Sequence, residues 1–96
     1  MLNYLVEFVG TFIFLCGILI ALKKTNNSLA CALLIGMVLA GVIFLGGSIS
    51  GGNYNPAISI VMYTEGVLPL ETTIIYVLVQ VLGGLCALHF CRAIVK

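Results

Sequence analysis

Long apolar runs separated by short polar breaks set the layout of the chain. Leu2 to Leu22 is a first apolar run of about 21 residues in which Glu7 is the one charge. Lys23 to Ser28 is a polar break, and Leu29 to Gly47 is a second apolar run with no charge. Residues 48–63 are glycine-rich at the start and apolar towards the end, Thr64 to Glu71 turn the chain, and Thr72 to Val95 is a third apolar run. Crossing a bilayer core of about 30 Å takes about 20 apolar helical residues, so all three runs are long enough to span. The pattern predicts an all-α membrane protein, with transmembrane helices over 2–22, 29–47 and 72–95 and a re-entrant segment over 48–63. No polar linker separates the second run from the glycines that follow, as expected of a loop that stays inside the membrane.

That loop is Ser50-Gly51-Gly52-Asn53-Tyr54-Asn55-Pro56-Ala57. Asn55 is a favoured N-cap, and Pro56 then falls at the first helical position, where a missing N–H costs nothing. Asn55 to Tyr63 has room for about two turns, roughly 13 Å, so this helix goes only part of the way in. Its free N–H groups and positive dipole end are then aimed at membrane depth. Irregular backbone is tolerated there only when buried in protein or lining a water-filled cavity, so the stretch is a candidate pore or binding site. Gly66 suits the C-cap of the half-helix, and Pro69 with Glu71 suits the first turn of the next helix.

Composition removes most other classes. Hydrophobic residues make up 62% of the chain and charged ones 7%, with a mean hydropathy of +1.29. A soluble domain carries about a quarter charged residues, so this chain belongs in a lipid bilayer as an integral, multi-pass protein. Its net charge of +1, with basic residues that never cluster with aromatics, gives no nucleic-acid signature. Cys16, Cys31, Cys86 and Cys91 lie in apolar runs without CxxC spacing and read as packing residues, not as metal ligands or disulfides. No nucleophile–base pair, phosphate loop or metal-ligand spacing occurs, so neither an enzyme nor a cofactor is expected. The first run lacks the basic start and small-residue cleavage site of a signal peptide and reads as a retained span. Asn26-Asn27-Ser28 matches a glycosylation sequon, but a loop so short and so near the membrane is a poor acceptor.

The polar residues inside the spans carry the remaining information. A carboxylate in a span costs about 2.5–3.5 kcal/mol, so Glu7 either lies near the membrane surface or faces protein as an acceptor for the N–H groups of the re-entrant loop. Gln80, in mid-span, needs a hydrogen-bonding partner. His89 is expected at the interface. Gly10 and Gly17 share one helix face, and Gly36-x-x-x-Ala40-Gly41 is a second small-residue face; both would let another helix approach closely.

The Ser-Gly-Gly-Asn-Tyr-Asn-Pro-Ala run resembles the loop that bears the Asn-Pro-Ala box of the aquaporin/glycerol-facilitator (major intrinsic protein) family. Glu7-Phe8-Val9-Gly10-Thr11-Phe12 is similar to that family's first-helix signature, and Tyr76 to Gly84, with Gln80 and Gly83, to its third helix. The three stand in the family's order over almost the whole chain. The resemblance implies half of an aquaporin-like fold, residues 1–96 forming one of two inverted repeats whose half-helices meet at mid-membrane. It implies that Asn55, in the Asn55-Pro56-Ala57 box, donates a hydrogen bond to a permeating molecule. By the same resemblance the carbonyls of Gly51, Gly52 and Asn53 form an acceptor ladder, and Glu7 and Gln80 support the loop. The box continues with Ile58, as in the family's first box, where the second continues with arginine. Ile35 falls where the family places its second-helix filter residue. An aliphatic residue there, without the arginine, implies a wider and less polar filter that admits small neutral solutes.

Three crossings put all four basic residues on one side and Glu65 and Glu71 on the other, which the positive-inside rule reads as N-out, C-in. The function expected is a half-pore subunit for water or small neutral solutes such as glycerol, completed by a second half-repeat. The one-sided charge favours a separate partner chain over an antiparallel homo-oligomer. The alternative is a non-conducting structural subunit of a membrane or larger assembly. A weaker third is a coupled exporter using Glu7.

Overall fold

The computed structural model describes residues 1–95, in four helices: α1 (Leu2–Lys24), α2 (Ser28–Ser50), α3 (Pro56–Thr64) and α4 (Leu70–Ile94). α1, α2 and α4 are each long and apolar enough to cross a membrane. α3, at 9 residues, is not. The result is an all-α membrane fold of three spans and one half-helix, consistent with half of an aquaporin-like fold. Lys96, one of the basic residues used to orient the chain, lies outside the described residues.

Local chemistry sets the ends of the helices. α1 closes on Lys23 and Lys24, cations at the negative end of its dipole. Three residues later Asn27 caps α2, its Oδ1 accepting from the Ala30 N–H at 2.9 Å. The sequence places the end of this span at Gly47, but the helix continues through Gly46-Gly47-Ser48 to Ser50. Glycine lowers helix propensity without forbidding helix. What stops α2 is Gly51 in the left-handed region (φ 92°), its N–H returning to the Gly47 carbonyl. The irregular loop is therefore only Gly51 to Asn55. α3 ends in a Schellman motif, with Gly66 N–H on Tyr63 O at 3.0 Å and Val67 N–H on Met62 O at 2.8 Å. Gly66 (φ 80°) stands one residue past the C-cap, Glu65. α4 starts at Leu70, two residues earlier than expected, with Pro69 as its N-cap rather than inside its first turn.

α1 is the middle helix. It packs against α2 on one side and α4 on the other, and α3 packs against α4. The bundle measures 41 × 26 × 20 Å, long enough to pass through a hydrocarbon core of about 30 Å. Its interior is polar and its exterior apolar: the largest fully buried side chains are Tyr76, Gln80, Glu7 and Ser59. In lipid there is no hydrophobic force between helices, so close approach and buried hydrogen bonds hold them together. A Cβ on Gly83 would stand 2.7 Å from the Phe8 carbonyl of α1, and one on Gly17 2.9 Å from Val38 of α2. Gly10 and Gly17 thus serve different neighbours: Gly17 admits α2, whereas Gly10 makes room for the ring of Tyr54. Gly36 and Gly41, with exposed Ala40 between them, face open space.

Candidate functional site

The interior polar cluster is built on the Glu7 carboxylate, fully buried in the second turn of α1. Its Oε1 accepts from the Tyr54 N–H at 2.8 Å and from Gln80 Nε2 at 2.9 Å. Its Oε2 accepts from the Asn53 N–H at 3.0 Å and from Ser50 Oγ at 2.7 Å. Four dipolar donors surround the charge, which is how an anion without a cationic partner is held inside a protein. A carboxylate accepts only, so the Gln80 amide must turn its NH2 towards Glu7. The same Nε2 reaches Ser59 Oγ at 2.9 Å, and Asn53 Nδ2 donates to that oxygen at 2.9 Å. One network thereby ties α1, the end of α2, the loop, α3 and α4.

The loop backbone is sorted by polarity. Four consecutive N–H groups are taken internally: Gly51 by Gly47 O, Gly52 by Ser50 Oγ, Asn53 and Tyr54 by Glu7. Among the described residues the carbonyls of Gly51, Gly52 and Asn53 accept no hydrogen bond. Turning these four donors inward takes three left-handed residues, Gly51, Gly52 (φ 62°) and Tyr54 (φ 55°). Tyr54 is not a glycine, and its side chain supplies what offsets that strain. Its ring lies against Gly10 and Gly46, and its hydroxyl donates to the Val42 carbonyl at 2.6 Å. Tyr76, on α4, donates to the Ser50 carbonyl at 2.6 Å and fixes the start of the loop from the other side.

At the far end of the loop Asn55 caps α3, its Oδ1 accepting from the Ala57 N–H at 2.8 Å, with Pro56 opening the helix. That leaves Asn55 Nδ2 without an internal acceptor, on an exposed residue at the positive end of α3. Asn55 and Pro56 border an open groove with Thr11, Phe14 and Gln80, and Ala57 is exposed beside them. Ile35 is not part of this cluster. It lies half-buried on α2 and lines a separate open groove with Leu22, Thr25 and Asn26, near the α1–α2 hairpin. Sequence reasoning passed over Ser59, Tyr54 and Tyr76. Ser59 had a signal: it is the polar residue in the otherwise apolar Ile58 to Met62. For the two tyrosines the available signal was weaker, a phenol in a loop or span that must find a partner once buried. Among the described residues no three metal-ligating side chains come together.

The family model for the major intrinsic protein matches residues 1–96. A glycerol uptake facilitator protein-like 6 of Lactiplantibacillus plantarum is 33% identical over 89 residues, covering 91% of this chain and 41% of the relative. Aquaporin Z of Brucella melitensis is 37% identical over 95 residues, covering 91% of the chain and 42% of the relative. Human aquaporin-10 is 35% identical over 97 residues, covering 86% and 30%. The chain thus spans between about a third and two-fifths of the length of these relatives. No solved structure matches it. With its three apolar spans, its half-helix and a family match from end to end, the chain belongs to the major intrinsic protein family and is an integral, multi-pass membrane protein.

Proposed function

We propose that residues 1–96 form one half-repeat of a channel for passive permeation of water or small neutral solutes, completed by a second half-repeat. The observation that carries this is the sorting of the loop: donors tied inward to Glu7 and Ser50, carbonyls of Gly51, Gly52 and Asn53 free, then the free Nδ2 of Asn55. A hydroxyl-bearing molecule moving along this strand donates to the carbonyls in turn and accepts from Asn55 at the α3 terminus. Donors and a positive dipole end at the narrow point repel cations and interrupt a proton wire. Glu7 and Gln80 act by holding the loop, and the chemistry is permeation rather than catalysis. An aliphatic Ile35 at the family's second-helix filter position, with no arginine after Ala57, favours solutes such as glycerol alongside water. The relatives' names, a glycerol uptake facilitator and aquaporins, cover both cargoes.

The second half must be inverted relative to this one. Lys23, Lys24 and Arg92 at one end, with Glu65 and Glu71 at the other, bias insertion to a single orientation, which favours a distinct partner half over an antiparallel pair of copies. Stopped-flow light scattering on proteoliposomes, under water and then glycerol gradients, tests the reading, with crosslinking to report assembly. Permeability above empty liposomes once the second half is present, lost in Asn55→Asp, is the expected result. Folded, assembled protein with background permeability would overturn it in favour of a structural subunit. Uptake restricted to water would overturn the role given to Ile35.

A further inference from the structure

At the end of the bundle away from the re-entrant loop, α1 and α4 finish side by side and enclose a groove of about 170 Å³. Lys23 stands on its α1 wall and Arg92 on its α4 wall, above Leu19, Leu88 and Cys91. Among the described residues no carboxylate side chain lies at this end: Glu7 is sealed in the loop cluster, Glu65 follows α3 and Glu71 opens α4. Among the described residues neither cation forms an ion pair, and Lys23 Nζ donates only to the Val95 carbonyl, at 3.1 Å. Basic residues in the last turn of a helix complement its dipole, and cations at a membrane boundary orient a chain. Neither effect requires two cations from different helices to share one groove with an apolar floor.

We propose that this groove binds the headgroup of an anionic phospholipid, its phosphate between Lys23 and Arg92 and an acyl chain along Leu19 and Leu88. A guanidinium offers a planar fork matched to phosphate oxygens, and the ammonium adds a second positive point. The apolar floor continues the hydrocarbon region beneath them. Anionic lipids are enriched in the leaflet that the positive-inside rule assigns to this end, and basic pockets between transmembrane helices suit their headgroups. Lys24, exposed and outside the groove, is the internal control.

Native mass spectrometry of the full chain, released from detergent with equimolar phosphatidylglycerol and phosphatidylcholine of identical acyl chains, tests the site. The expected result is several-fold greater retention of phosphatidylglycerol, reduced to the phosphatidylcholine level in Lys23→Gln/Arg92→Gln and kept in Lys24→Gln. Equal retention of the two lipids by the unaltered chain would overturn the proposal, and that comparison needs no variant to fold. An equal loss in Lys24→Gln would overturn it in favour of diffuse surface charge. Displacement by glycerol 3-phosphate as effective as by the lipid itself would overturn it in favour of a free-phosphate site.

Discussion

Glu7 shows at residue scale what this fold demands of one side chain. It is the acceptor for two loop amides, a serine hydroxyl and a glutamine amide. Glu7→Gln keeps the size but substitutes a donor for one carboxylate oxygen, leaving at least one buried N–H facing another donor. A loss of about 2–3 kcal/mol in unfolding free energy in detergent is expected, with faster amide exchange at Asn53 and Tyr54. A second test concerns the Tyr54 hydroxyl, which a Cβ on Gly46 would run into. Gly46→Ala is expected to destabilise the chain by about 1–3 kcal/mol, and by measurably less in a Tyr54→Phe background, where the hydroxyl is gone. Additive losses would show that the glycine is not there for the tyrosine. That Glu7 and Gln80 matter was legible in the sequence, because a polar group in an apolar span must be explained. That they meet each other was not, since they are joined only through the packing of α1 on α4.

At the scale of elements, span and half-span were legible because hydropathy and length answer to the thickness of the bilayer. The ends were less so. Gly46-Gly47 looks like a helix stop in sequence, yet the helix runs on: Gly46 is bare because Tyr54 and Val6 occupy the space of a side chain, and the stop is supplied by φ at Gly51. The adjacent pair Gly83-Gly84 makes the same point. In sequence the two are equivalent, but a Cβ at 83 would press on the backbone of α1 at 2.7 Å, while one at 84 would touch Leu15 at an ordinary 3.6 Å. Gly83→Ala must therefore separate α1 from α4 and is expected to cost about 1–3 kcal/mol, whereas Gly84→Ala is expected to be neutral. Chemical unfolding of both variants in the same detergent checks this, and equal losses would mean that the α1–α4 contact is looser than drawn.

For the whole molecule, the decisive feature is how much of α2 has no neighbour. α1 and α4 enclose the Glu7 network, but α2 packs as a helix against α1 alone, meeting α4 only where Tyr76 reaches its last residue, Ser50, and its Gly36, Ala40 and Gly41 face open space. Bare glycines cost helix stability without packing gain, so a face that keeps two of them is shaped for a surface that comes very close. In the proposed channel that surface belongs to the second half-repeat. Gly41→Leu separates the two scales, because Gly41 is exposed and nothing lies within 4 Å of where its Cβ would stand in the half alone. Helix content and the thermal stability of this chain by itself are expected to hold within about 0.5 kcal/mol, as for a substitution that meets no packed feature. Crosslinking to the second half and solute flux are expected to fall together, since a leucine there would hold the backbones apart by the width of its side chain. Loss of stability in the isolated chain would place the face inside this half. Unchanged flux would mean that the second half docks elsewhere, with α2 left to lipid and the open groove beside Asn55 and Pro56 as the remaining place for it to meet α3.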